Sequence, residues 1–128
     1  MNYLLDTNAA IDYIGGALPD KAIAWLDGIV DSEAAISVIN QIEMLGLSPA
    51  DPADIVPFEE LAAAVTILSL DPEVVIRCIA LRKGQKIKLP DAIVAATALV
   101  HGLVLVSRNE ADFKRIPDLR LINPYSMA

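Results

Sequence analysis

The chain alternates short apolar runs with longer stretches of helical periodicity. Apolar runs at residues 3–6, 34–38, 65–70, 103–107 and 119–122 predict five strands. They are continuous rather than alternating, as strands buried on both faces require. Between them the spacing turns helical. Thr7 or Asn8 is placed to cap a helix that runs through Ile14 and ends at Gly15-Gly16. Pro19 or Asp20 opens a second helix, where Trp25 reads as a packing residue. Residues 39–47 repeat Ile39, Ile42 and Leu45 at helical spacing, with Glu43 among them. After a proline-rich break, residues 55–64 predict an amphipathic helix, and Asp71-Pro72 starts another that Gly84 stops. Leu89-Pro90-Asp91 opens a helix through His101 that is apolar on nearly every side, so it should lie central and buried. Residues 109–115 read as a short helix or turn. Strands alternating with helices predict an α/β fold, with a central parallel sheet of four to five strands and helices on both faces.

Composition narrows the chemistry. The 128 residues fit one domain, 1–128, and 55% are hydrophobic, enough for a sizeable core. No run approaches the roughly 18 apolar residues of a membrane span, and no basic region precedes an apolar stretch at the N-terminus. The expected compartment is the cytoplasm, with no membrane partner. A single cysteine, Cys78, excludes an internal disulfide framework. A single histidine, His101, argues against a histidine-based triad or zinc site.

Charge changes the picture further. The net charge is −7, which alone argues against nucleic acid. Yet residues 1–76 balance to −12 and residues 77–128 to +5. Arg82, Lys83, Lys86 and Lys88 form the densest basic cluster and are candidate contacts for an anionic backbone. As a helix end they would also suit the negative pole of the dipole.

Four acids fall where this fold places its ligands. Asp6 ends the first strand, Glu43 follows the second, Asp91 opens the buried helix, and Asp112 follows the fourth strand with Asn109 one turn earlier. In a parallel sheet, all lie toward the C-terminal edge. Singly, each has a bland explanation. Asp6 and Asp91 suit helix starts, and Asp112 could pair with Lys114 or Arg115. Glu43 is the strongest case, because its apolar neighbours predict burial and a buried carboxylate needs a partner. Together, carboxylates on one edge repel unless a cation neutralises them. Hard oxygen donors without His or Cys suit Mg²⁺ or Mn²⁺, and the natural reaction is attack of metal-activated water on a phosphodiester.

The ordered set Leu4-Leu5-Asp6-Thr7-Asn8, Ser37-Val38-Ile39 leading to Glu43, Leu89-Pro90-Asp91-Ala92 and Ser107-Arg108-Asn109 leading to Asp112-Phe113 resembles the PIN domain family of metal-dependent ribonucleases. Within it the chain is most similar to VapC-type toxins of toxin–antitoxin pairs. The resemblance implies a PIN-like fold and an endoribonuclease. Asp6, Glu43, Asp91 and Asp112 would surround Mg²⁺ or Mn²⁺, with Asp6 and Asp91 the most direct ligands. Thr7, Asn8 and Ser107 would be supporting polar groups. Some members carry an acid where this chain has Asn109, which leaves Asn109 an accompanying ligand. The resemblance also implies an RNA substrate, a cognate antitoxin and a homodimer. Two readings compete with it. One is a PIN-like domain that binds RNA or protein without cleaving, which loss of acids would signal. The other is a phosphoacceptor domain, against which the absence of an adjacent acidic pair near the first strand counts.

Overall fold

The computed structural model describes residues 1–127. Its sheet has five parallel strands in the order β3-β2-β1-β4-β5: β1 (Tyr3–Leu5), β2 (Ala34–Ser37), β3 (Thr66–Leu68), β4 (Val104–Val106) and β5 (Leu121–Ile122). Register sets Leu4 beside Ala35 and Leu105, and Leu5 beside Val106. The pleat then sends neighbours to opposite faces. Leu4, Ala35 and Leu105 enter one core, while Leu5, Ile36 and Val106 enter the other. All six are at most 1% exposed, so burying each of the leucines contributes about 1.5–3 kcal/mol.

The first core is covered by α5 (Pro72–Gly84) and α6 (Leu89–His101), through Val74, Cys78 and residues 92–96, and by Phe113 of α7 (Glu110–Phe113). The second is covered by α1 (Thr7–Ile14), α2 (Asp20–Ile29), α3 (Val38–Leu45) and α4 (Val56–Ala64), through Ala10, Leu26, Met44 and Leu61. The α/β class and two-sided cover are as the periodicity predicts. α6 is buried throughout residues 92–98, where alanines admit close approach to the sheet, and Gly102 ends it in the left-handed region at φ 65°. Trp25 packs edge-on against Tyr3 with ring centroids 5.0 Å apart, the packing role its position predicts. No helix among the described residues is long and apolar enough to cross a membrane.

Several local expectations are corrected. The strands are shorter than the apolar runs. β3 is an edge strand whose Thr66 and Ile67 are exposed, so it lacks the two-sided burial its composition implied. Residues 52–55 form a 3₁₀ turn, so α4 begins at Val56, one residue later than the pattern predicts. The face α3 turns inward carries Asn40 and Met44, while Ile42 and Leu45 are exposed. A three-residue apolar spacing fixes a stripe but not which of two stripes meets the sheet.

The chain winds outward from β1 twice, first through β2 to β3 and then through β4 to β5. After β1 it leaves toward the second core, since α1 packs there. After β4 it leaves toward the first, where Phe113 is buried. Neighbouring strands whose connections part in this way open a crevice at their C-terminal ends, the usual ligand position in open α/β sheets.

Candidate active site

The crevice has two lips, Asp6-Thr7-Asn8 after β1 and Ser107-Arg108-Asn109 after β4. Asp6 is the N-cap of α1, with extended backbone (φ −74°, ψ 156°) and a side chain that accepts from the Thr7 N–H at 2.9 Å. The expectation that Thr7 or Asn8 caps this helix is therefore corrected: both lie inside it. Capping leaves Thr7 and Asn8 free to bridge outward. Ser107 Oγ donates to Asp6 Oδ2 at 2.9 Å, and Asn8 Nδ2 donates to Asp6 Oδ2 and Ser107 Oγ at 3.1 Å each. Asn8 Oδ1 in turn accepts the Arg108 N–H at 3.1 Å. Asp6, only 7% exposed, is thus held by four donors. Burial raises its pKa and the nearby Glu43 adds to that, while the bonds from Ser107, Thr7 and Asn40 oppose it.

Glu43 departs from expectation. It is exposed rather than buried, so the need for a buried partner does not arise. It nevertheless faces the crevice, where Thr7 Oγ1 donates to Glu43 Oε1 at 2.7 Å. Asp91 is not a cap either. Lys88 is the N-cap residue of α6 and makes no side-chain cap bond, which leaves Asp91 in the first turn. The Asp91 pKa is raised, first by burial and then by Asp6, Asp112 and Glu43, with Lys88 opposing. Asp6, Glu43, Asp91, Thr7, Asn109 and Arg108 line one cavity of about 280 Å³. Asp112 lies one step behind. It does not pair with Lys114 or Arg115; it accepts from Asn109 Nδ2 at 3.1 Å and lines an adjoining cavity with Lys86 and Lys88. Arg82 and Lys83 are exposed on the last turn of α5 and line neither cavity.

Two parts of the site were missed from sequence. Asn40 is fully buried: its Oδ1 accepts from the Ser37 N–H at 3.0 Å, completing a capping box. Its Nδ2 reaches Thr7 Oγ1 at 3.0 Å and Asp6 Oδ1 at 3.4 Å. The Ser37-x-x-Asn40 spacing was its signal. Arg108 lies in the acidic cavity and pairs with the buried Asp12 of α1 at 3.1 Å. An acid on the sheet-facing side of a helix was the signal there.

The donor set is oxygen throughout. Among the described residues, no three His, Cys, Asp or Glu side chains close into a ready-made cage. Hard oxygen donors of this kind suit Mg²⁺, which takes one or two carboxylates and keeps several waters.

The chain matches the PIN domain family model over residues 3–119. It is 27% identical over 143 residues to Toxin FitB of Neisseria gonorrhoeae, covering 95% of this chain and 97% of that protein. Its fold superposes on a chain of a toxin–antitoxin complex from Klebsiella pneumoniae with a TM-score of 0.78 and 34% identity, covering 97% of this chain and 98% of that one. Against the DNA-bound VapBC complex from Salmonella typhimurium the TM-score is 0.82 at 27% identity, covering 95% and 97%. The match along nearly the whole chain, in sequence and in fold, makes this protein a VapC-like member of the PIN domain family.

Proposed function

We propose that this protein is a Mg²⁺- or Mn²⁺-dependent endoribonuclease and the toxin of a toxin–antitoxin pair. The observation that carries the reading is the convergence of Asp6, Glu43 and Asp91 on one cavity at the sheet's switch point, whose polar lining is oxygen donors and a single arginine. Asp6 and Asp91 would hold the metal most directly, and Glu43 and Asp112 would complete its surroundings. A bound divalent ion supplies charge neutralisation and makes water a nucleophile at neutral pH. The chain's own groups do the rest. Ser107, Asn8, Thr7 and Asn40 fix both Asp6 oxygens, so the carboxylate is oriented before ligand arrives. Thr7 aims Glu43 at the same space, where it can orient the attacking water. Asn109 stands between that space and Asp112. In-line attack of water on phosphorus leaves a 5′-phosphate and a 3′-hydroxyl. Lys86 and Lys88, beside Asp112, are the members of the basic cluster positioned to meet an RNA phosphate near the acids.

Two apolar surfaces support partners. Ile42 on α3, Leu47 in the loop after it and Val56 at the start of α4 are exposed, an apolar surface suited to a cognate antitoxin. Ile76 and Ile79, 68% and 51% exposed on α5, form a separate surface suited to a homodimer. Activity on RNA would place the protein in the cytoplasm.

The test compares purified wild type with Asp91→Asn on total RNA, in Mg²⁺ and in EDTA. Cleavage is expected only from wild type in Mg²⁺. Equal cleavage by the variant, or cleavage in EDTA, sinks the metal–carboxylate reading.

A further inference from the structure

A second cavity, about 390 Å³, lies between the C-terminal half of α5 and the loop after α7, lined by Arg77, Leu81, Gln85, Arg115, Pro117 and Asp118. Arg115 belongs also to the neighbouring cavity that holds Lys86, Lys88 and Asp112. Arg115 is thus a wall common to both cavities, and their linings together make one path along the surface from Asp112, beside the acidic site, to Arg77. Four bases line this path against two acids, Asp112 and Asp118. None of the four makes a salt bridge among the described residues, where the Arg108–Asp12 pair is the one formed. In a chain of net charge −7 with 17 acids, these linings gather a local excess of two positive charges. The arrangement differs from the sequence cluster, because Arg77 and Arg115 take the places of Arg82 and Lys83.

We propose that this path is a binding site for the backbone of a single RNA strand, with Arg77 and Arg115 holding phosphates several nucleotides from the one cleaved. The inference rests on the ribonuclease reading and extends it to the form of the substrate. Lys86 and Lys88 meet the strand nearest the acids; the two arginines meet it farther out. A guanidinium presents a planar fork of donors that matches a phosphate's two free oxygens, and it does so without needing burial. Continuity with the acidic edge favours RNA over an acidic peptide, since what leaves the scissile position along this path is the substrate's own strand. The positive path also offsets the repulsion that the acidic half of the chain imposes on RNA.

The site predicts a length dependence. RNA of about four nucleotides spans only the acidic end, whereas RNA of about twelve reaches both arginines. The experiment measures fluorescence anisotropy of labelled mixed-sequence RNA of these two lengths, with Mg²⁺, on the full chain in the Asp91→Asn background so that cleavage does not intervene. Arg77→Glu with Arg115→Glu is expected to weaken the longer RNA at least tenfold and to collapse the ratio of long to short affinity. The slope of log K against log salt should fall by about 0.7 for each phosphate that is no longer neutralised. Arg77→Gln with Arg115→Gln should fall between, and circular dichroism checks the fold of each. An unchanged ratio and slope overturn the proposal. Loss of binding to a polyglutamate peptide with RNA binding intact overturns it too and makes the path a protein-docking surface. Failure of wild type to cleave RNA in Mg²⁺ would defeat the ribonuclease reading itself, whereas cleavage with an unchanged ratio defeats the path alone.

Discussion

Arg108 Nη1 lies 3.1 Å from Asp12 Oδ2, and the two side chains are unequally exposed, 54% for Arg108 and 10% for Asp12. The inequality decides what each does. Asp12 faces inward from α1 and needs a donor there, while Arg108 reaches back from the lip after β4, stays half-exposed and also lines the acidic cavity. With the Asn8 bond to the Arg108 N–H, the pair ties the two lips together.

Removing Arg108 should therefore cost more than its exposure implies, because it leaves the buried Asp12 side chain without its donor. Arg108→Ala is expected to lose about 1–3 kcal/mol of stability. Adding Asp12→Asn to that variant should restore part of the loss. Urea denaturation of the two singles and the double gives the coupling. If the double is no more stable than Arg108→Ala, the pair contributes nothing to the fold.

Asn40 makes a second structural prediction. It completes the capping box of α3 by accepting from the Ser37 N–H, it donates to Asp6 and Thr7, and it is wholly buried. Asn40→Ala should cost about 2–3 kcal/mol, combining the lost cap with unsatisfied neighbours. Asn40→Asp keeps the shape and the cap but sets a second carboxylate against Asp6. It should be less stable at neutral pH than near pH 4, where protonation relieves the repulsion. Thermal melts across that range measure the difference, and a flat profile would contradict the hydrogen bonds assigned to Asn40.

These two residues mark what the sequence could tell. The strands and the acids at strand ends were legible because continuous apolar runs and strand-to-helix punctuation are local signals. Topology set Asp6, Glu43, Asp91, Asp112 and Asn109 toward one edge; four of them line one cavity, and Asp112 lines the neighbouring one. Which face of α3 turns inward was not legible: Ile42 and Leu45 outweigh Asn40 on any hydrophobic scale, yet Asn40 is buried because its hydrogen bonds are all made. The premise that Glu43 is buried failed for the same reason. Arg108 and Asp12 meet across 96 residues, a separation that no local pattern records.

Thr7 tests how far orientation matters to the site. Its hydroxyl donates to Glu43 and accepts from Asn40. Thr7→Val keeps the shape and removes both bonds, so Glu43 loses its aim while Asp6 keeps its own donors. Metal-dependent cleavage should fall about tenfold, less than the roughly 10²–10⁴-fold of a full general acid–base contribution, because Glu43 is misaimed and not removed. Thr7→Ser should recover most of the rate, and Glu43→Gln should lose more than Thr7→Val. Single-turnover cleavage of one labelled RNA separates the three, and equal rates for wild type and Thr7→Val would show that Glu43 needs no positioning.

Asp91 gives the prediction that links stability, pH and metal. Its folded pKa is raised above the ordinary 3.8 by burial and by three neighbouring acids. Below 3.8 the carboxyl is protonated in both the folded and the unfolded chain, and it costs nothing. Between 3.8 and the raised value the unfolded chain has released a proton that the folded chain still holds, so stability falls as pH rises. Above that window the penalty is complete. In the metal-free protein Asp91→Asn removes the penalty, so the variant should melt higher than wild type at neutral pH, by about 1–4 °C for a chain of this size. The advantage should vanish near pH 3.5. On the proposed metal reading Mg²⁺ reverses the order: it stabilises whichever protein binds it, in proportion to RT ln(1 + [Mg²⁺]/Kd), and Asp91→Asn would have lost a ligand. Wild type should gain several degrees on adding Mg²⁺ and the variant little. A variant that melts lower without metal, or that gains as much from Mg²⁺ as wild type does, would remove Asp91 from the metal site.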